Sequence, residues 1–211
     1  MPVPADPLSL ADWRRRVTEL YAEVRAAPAG CEPQACERFR RRRDQLFATH
    51  PQAPLEPGDR SRFTGLAYYA YNMAWRVTGR LEPAQPVERH HITLSGDGLV
   101  TFTSVATVRF TCPAGPGQLS LYWIEGYGGG LFLPFRDASA GQGTYAGGRY
   151  LWDTIKGAGL ALREDQILLD FNYAYNPSCA YSNRWVCPLA PAQNHLPFAV
   201  PVGETVPSVR S

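Results

Sequence analysis

Two stretches of the sequence, residues 134–150 and 170–194, combine Tyr, Asn, Arg, Asp and Cys. These side chains fix a bound molecule through directional hydrogen bonds. We therefore expect the two stretches to line one pocket for a small polar or anionic organic ligand. The residues expected to contact it are Arg136, Asp137, Tyr145, Arg149, Tyr150, Asn172, Tyr175, Asn176, Cys179, Tyr181 and Asn194.

Arg149 has two interpretations. Its planar guanidinium can clamp a carboxylate or phosphate, or it can form a structural bridge with Asp137 or Asp170. Either carboxylate could act as a general base if burial raises its pKa. In a strand over residues 168–172, Asp170 and Asn172 share one face, so they line a pocket or cap a turn.

Cys179 and Cys187 lie on one loop, eight positions apart. They can be small buried residues, a disulfide, a redox or nucleophilic pair, or two ligands of a metal. Prolines beside the loop restrict its backbone, so we expect the sulfurs to be close together. In a reducing cytoplasm we expect two free thiols packed beside Tyr175 and Tyr181.

Other motifs argue against common chemistries. The glycine-rich run at 126–130 lacks the Gly-Lys-Ser/Thr ending of a phosphate loop, so it is typical of a turn. His90 and His91 would face opposite sides of a strand and cannot chelate one metal together. Neither an HExxH nor a Gly-x-Ser-x-Gly motif is present. The sequence thus indicates no metal site and no cofactor.

The composition narrows the class of protein. The 211 residues carry a net charge of +2, which gives no electrostatic reason to bind nucleic acid. No apolar run is long enough to span a membrane, and the first residues lack the apolar core of a signal peptide. With five cysteines and no export signal, we expect a cytoplasmic protein with reduced thiols.

Two helices are predicted near the N-terminus, at about 10–26 and 34–49. Ser9 to Asp12 resembles a capping box for the first of them. In the second, Arg43 lies four residues after Phe39 and three before Leu46, so it shares their apolar face and should point inward. The three arginines before it are expected to be solvated.

From residue 68 onward the apolar pattern changes to that of strands, and Gly and Pro number 19 each. Gly96-Asp97-Gly98 predicts a turn between two of them. This spacing favours an antiparallel barrel or sandwich, so the fold is predicted to be α+β, mainly β, with an N-terminal helical pair. Strands are predicted at 75–80, 87–94, 99–105, 107–112, 118–124, 131–135, 150–152 and 166–171.

The same motifs resemble DUF1684, a bacterial and archaeal domain family. The resemblance covers nearly the whole chain, with Ala190-Pro191-Ala192 and His195 as departures. It supplies no substrate. The residues that carry it include Pro134 to Asp137, Thr144-Tyr145, Gly148 to Tyr150, Asp170 to Asn172, Tyr175 to Tyr181, Cys187 to Leu189, Asn194 and Gly203-Glu204.

We expect one domain over residues 1–211, with helices at about 9–49 and a β-rich core at about 67–205. Its expected partner is a small-molecule ligand, with no nucleic acid and no membrane. The alternatives are an enzyme that uses an Asp base or a Cys thiol on that ligand, and a purely structural or interaction domain. The catalytic candidates would be Asp137, Asp170 and Cys179.

Overall fold

The computed structural model describes residues 6–94 and 98–208. Apart from Gly98, the turn predicted at 96–98 lies outside the described residues. Among the described residues, no helix has the length and apolar character needed to cross a bilayer.

The two predicted helices are confirmed. Helix α1 spans Pro7–Arg25 and α2 spans Glu32–Thr49. The capping box expected at Ser9 is wrong, because Asp6 caps α1: its side chain accepts a hydrogen bond from the Ser9 N–H, and Pro7 occupies the first turn. The helices pack against each other through Tyr21 and Phe39, whose ring centroids are 5.1 Å apart.

The remainder is an antiparallel sheet that curls into a half-barrel. Its strand order is β6-β5-β4-β3-β1-β8-β7, and β2 pairs with β3. The predicted class, α+β and mainly β, is confirmed. The strands are β1 (Arg76–Pro83), β2 (Arg89–Leu94), β3 (Gly98–Cys112), β4 (Gly115–Ile124), β5 (Gly130–Phe135), β6 (Arg149–Asp153), β7 (Leu162–Arg163) and β8 (Gln166–Asp170).

Strand β3 organises this sheet. It pairs with β4 along one edge, while β2 and then β1 share the other. The two strands predicted at 99–105 and 107–112 are halves of this one strand. The register shifts between Ser104 and Ala106, and such a β-bulge bends a strand without ending it. The short strand β7 was not predicted.

The sheet encloses its main core on one face, where Val108, Leu119, Leu133 and Phe171 are fully buried. Val200, in the C-terminal segment, belongs to the same core. A second cluster joins the two helices to the rest of the domain. It contains Val17, Leu20, Tyr21, Cys36, Phe39, Leu46, Ala158 and Tyr173.

Candidate functional site

The two polar stretches meet directly. The backbone N–H of Tyr150 donates to the carbonyl of Tyr175 at 2.8 Å, and the N–H of Tyr175 donates back at 3.1 Å. Arg149 and Asn176 are the residues next to this pair. The expectation that the stretches converge is therefore confirmed, although 25 positions separate the two tyrosines.

A cavity of about 50 Å³ lies between this junction and the helical pair. Both helices and both polar stretches contribute to its wall. Three of the eleven predicted ligand-binding residues are in the lining, together with residues from α1 and α2. The lining residues are Trp13, Val17, Tyr21, Arg43, Phe47, Pro54, Tyr150, Lys156, Ala158, Tyr175, Asn176, Pro177 and Ser178.

Arg43 is one of two charged residues that line the cavity, together with Lys156. It is only 6% exposed, which confirms that it points inward from α2. Its Nε donates to Glu204 Oε1 at 2.8 Å, and its guanidinium carbon lies 4.7 Å from the Phe47 ring centroid and 5.2 Å from that of Tyr175. Among the described residues, its two terminal nitrogens donate no hydrogen bond, so they are available to an occupant of the cavity.

Three more polar atoms at the cavity are buried without a hydrogen-bond partner in the described part of the chain. They are the hydroxyls of Tyr21 and Tyr175 and the Oδ1 atom of Asn176. The Asn176 Nδ2 group donates to the Thr205 carbonyl at 2.7 Å, which fixes the amide so that Oδ1 is the free acceptor. A buried polar group without a partner costs about 1–3 kcal/mol, so three such groups favour a polar occupant.

The tyrosine hydroxyls at the cavity keep their protons at neutral pH. Burial raises the pKa of Tyr21 and of Tyr175 well above the ordinary tyrosine value. Each can therefore donate a hydrogen bond to an anion.

Lys156 is the second charged residue in the lining of the cavity. Its Nζ lies 2.9 Å from Asp153 Oδ2, and 45% of its side chain is exposed. Each cation of the site thus has a carboxylate partner, Glu204 for Arg43 and Asp153 for Lys156. The pairs are neutral as a whole, so the specificity of the site must come from the direction of its hydrogen bonds.

Arg149 itself is used inside the protein. It is 1% exposed, and its Nη2 donates to Asp137 Oδ2 at 2.6 Å and to the Val200 carbonyl at 2.9 Å. Its Nη1 donates to the carbonyls of Val202 at 2.5 Å and Glu204 at 3.1 Å. Arg149 thus forms a structural bridge with Asp137, which is one of its two interpretations from the sequence. Its guanidinium has no face open to a ligand.

The candidate bases are also held within the protein. Asp137 bonds Arg149 and accepts from the Ser139 N–H at 2.8 Å. Asp170 Oδ1 accepts from the N–H and side-chain amide of Asn172, at 3.1 and 2.9 Å. Burial raises the pKa of Asp170, against the opposing hydrogen bonds from Asn172. Neither carboxylate lines the cavity.

Asn172 and Asn194 each tie separate segments together. Asn172 accepts from the N–H of Asn72 at 2.8 Å and donates to its carbonyl at 2.9 Å. Asn194 pairs in the same way with Ser120 of β4 and also donates to the Pro134 carbonyl at 2.6 Å. Both side chains are buried, and their amide groups are hydrogen bonded to backbone groups of distant segments. These two residues therefore hold the segments together.

Arg136 and Tyr181 lie outside the lining of the cavity. Arg136 is exposed on the surface. The Tyr181 hydroxyl donates to Glu204 Oε2 at 2.7 Å, behind Arg43. Tyr150 lines the cavity, but its hydroxyl points away and donates to the Pro188 carbonyl at 2.6 Å.

All five cysteines carry free thiols. Cys179 and Cys187 are close together, as expected, because the Cys179 N–H donates to the Cys187 sulfur at 3.4 Å. The tyrosine in contact with Cys179 is Tyr145, whose hydroxyl lies 3.6 Å from the sulfur. This contact comes from the 134–150 stretch, and the expected packing beside Tyr175 and Tyr181 stays a prediction.

The sequence analysis missed Tyr21, Lys156 and Glu204 as parts of this site. Tyr21 looked like an ordinary member of an apolar helix stripe. Lys156 carried one detectable signal, because it is the only lysine in a chain with 20 arginines. Glu204 is the buried partner of Arg43, but 161 positions separate the two residues, and no local pattern connects them.

Comparisons with known proteins agree with the family resemblance. A family model described as a protein of unknown function, DUF1684, matches residues 61–205. The solution NMR structure of an uncharacterized protein from Haloarcula marismortui is similar, with 35% identity and a TM-score of 0.59. The match covers 82% of this chain and 92% of that one. No curated protein matches.

Proposed function

Since the chain belongs to the DUF1684 family, whose function is unknown, we propose its function from its own residues: it binds a small carboxylate in the cavity beside Arg43. The observation that carries this proposal is a nearly buried arginine that lines the same cavity as three residues with unpartnered polar atoms. Two parallel N–H groups of a guanidinium match the two oxygens of a carboxylate.

The unpartnered atoms also narrow the ligand. The hydroxyls of Tyr21 and Tyr175 can donate to an anion, but Asn176 Oδ1 can only accept. The preferred ligand therefore carries a hydroxyl or ammonium group beside its carboxylate. One water needs roughly 10–15 Å³ of such a cavity, so the site holds about three to five non-hydrogen atoms. An α-hydroxy or α-amino acid with two carbons, such as glycolate or glycine, meets both requirements.

Binding is measured by isothermal titration calorimetry with glycolate, glycine, acetate and phosphate. Glycolate or glycine should bind more tightly than acetate, because acetate leaves Asn176 Oδ1 without a donor. Tyr21→Phe removes one donor to the anion and should weaken binding about 2- to 10-fold, since a hydrogen bond contributes about 0.5–1.5 kcal/mol.

Tyr122→Phe is the matched control, because its hydroxyl is also buried and unpartnered but lies outside this cavity. It should leave the affinity unchanged. If none of the four anions binds at about 10 mM, water alone occupies the cavity and the proposal is wrong. Equal weakening by Tyr21→Phe and Tyr122→Phe would assign the effect to the fold.

We also place the protein in the cytoplasm and expect no nucleic-acid partner. Five free thiols suit a reducing compartment. The arginine run of α2 is engaged within the chain: Arg40 donates to the Tyr69 carbonyl, Arg41 pairs with Glu37, Arg42 with Glu23, and Arg43 with Glu204. These contacts support the expectation that the run binds no nucleic acid. Arg41 and Arg42 are exposed, in line with the prediction that they are solvated, whereas Arg40 is half-buried.

A further inference from the structure

The Cys179 and Cys187 thiols form a second chemical site, separate from the Arg43 cavity. The two residues are half-buried, and the Cys179 N–H donates to the Cys187 sulfur at 3.4 Å. Cys187 also lines an open groove of about 610 Å³ on the sheet, beside Phe132 and Pro188. A small solute can therefore reach Cys187 through the groove, and Cys179 beside it is only half-buried.

The surroundings of the two sulfurs are unequal. The Cys187 side chain and the Tyr145 hydroxyl, which lies 3.6 Å from the Cys179 sulfur, both stabilise a thiolate at Cys179. They lower the pKa of Cys179 to about 6, while the same shared proton raises the pKa of Cys187. The other charged or titratable groups that influence the pair are Lys156 and Tyr150.

We propose that Cys179 and Cys187 are a peroxide-reactive dithiol in which Cys179 is the nucleophile and Cys187 the resolving thiol. The Cys179 thiolate attacks one oxygen of hydrogen peroxide, an S–O bond forms, the O–O bond breaks and hydroxide leaves. The Cys187 sulfur then displaces the hydroxyl of the sulfenic acid, which departs as water with the Cys187 proton. The thiols lose two electrons and two protons, and the peroxide is reduced to water.

The geometry supports this division of roles. Attack needs a thiolate in contact with solvent, and resolution needs a second thiol within reach of the first. The sequence places both on one loop, with only seven residues between them, and the Cys179 N–H lies 3.4 Å from the Cys187 sulfur. The three remaining cysteines, Cys31, Cys36 and Cys112, lie on other elements.

The test uses the full chain, reduced and then treated with equimolar hydrogen peroxide. Mass spectrometry of peptides after alkylation should find a Cys179–Cys187 disulfide as the main product. Cys187→Ser should instead accumulate a sulfenic acid at Cys179 that dimedone traps. Cys179→Ser should consume peroxide no faster than the protein's other thiols do. Cys31→Ser is the matched control, because Cys31 is also half-buried, and it should form the disulfide like the wild type.

A second readout does not depend on peroxide. The rate of iodoacetamide labelling at Cys179 should rise with a midpoint near pH 6, whereas an ordinary thiol has its midpoint near pH 8.5. At pH 7 the gain in thiolate, reduced by lower intrinsic nucleophilicity, should leave Cys179 about 2- to 3-fold faster than an unperturbed thiol of equal exposure.

Two results would overturn the proposal. One is oxidation of Cys31 or Cys112 before Cys179 in the folded wild type. The other is a labelling midpoint for Cys179 above about pH 8, the value of an unperturbed thiol. A circular dichroism spectrum of each variant shows whether it is folded, and the wild-type labelling profile decides the question even if a variant does not fold.

Discussion

Replacing Arg149 with lysine tests the distinction between a ligand clamp and a structural bridge. The substitution keeps the positive charge but loses the planar fork, whose two terminal nitrogens make four hydrogen bonds. A lysine ammonium concentrates its donors on one atom, so it cannot reach Asp137 and three separate carbonyls together. At least two acceptors then stay buried without a donor.

The expected loss of stability follows from those bonds. A hydrogen bond to a charged group contributes about 1.5–3 kcal/mol, so losing two costs roughly 3–6 kcal/mol. For a domain of about 150–250 residues, 1 kcal/mol corresponds to roughly 2–4 °C in Tm, which predicts a fall of about 6–24 °C. Since whole domains are stable by only about 5–15 kcal/mol, the variant should be close to unfolding at room temperature.

The assay is thermal and urea unfolding followed by circular dichroism, with Arg136→Lys as the control. Arg136 is in the same polar stretch but is exposed, so its unfolding free energy should change by less than about 0.5 kcal/mol. The reasoning is refuted if Arg149→Lys unfolds like the wild type. It is also refuted if the variant keeps its stability but no longer binds glycolate, because that result would make Arg149 a ligand clamp.

Three further substitutions test the buried charges and the backbone. Glu204→Gln removes the partner of the buried Arg43 and should cost about 3–5 kcal/mol in urea unfolding; a smaller loss would mean that water already screens the pair. Gly148→Ala should destabilise the fold by several kcal/mol more than Gly30→Ala. Both glycines have φ near +85°, but only at Gly148 would a Cβ meet a backbone oxygen, that of Phe135 at 2.5 Å. Equal Tm values for the two variants would contradict this. Burial raises the pKa of Asp170 in the folded protein above its pKa in the unfolded chain. The contribution of Asp170 to stability is therefore fully present below the unfolded-state pKa, and it is lost as pH rises through the folded-state pKa. Asp170→Asn should therefore gain more stability relative to wild type at pH 7 than at about pH 3.5. The opposite trend in urea midpoints would mean that folding lowers the pKa of Asp170.

The elements of the fold were largely predictable because they follow local patterns. Helical spacing identified both helices, and the position of Arg43 between Phe39 and Leu46 was enough to predict its burial. The strand pattern could not show that β2 and β1 share one edge of β3, since the bulge near Ser104 is set by pairing between distant segments.

The candidate site was only partly predictable, for a physical reason. Asn172, Asn194 and Arg149 have the chemistry of ligand-binding residues, but here they satisfy backbone groups of irregular segments. A buried backbone carbonyl requires the same donors that a ligand requires, so composition cannot separate the two uses. The location was partly right, because Tyr175 and Asn176 line the cavity.

The Arg43–Glu204 pair also has a consequence for protein synthesis. The ribosome makes Arg43 161 residues before its buried partner. At roughly 5–20 residues per second, translation of that interval takes about 8–32 s. During this time helix α2 carries a cation on its apolar face with no carboxylate to neutralise it. The nascent helical pair therefore keeps this face hydrated, and its final docking waits until the segment around Glu204 has left the ribosome.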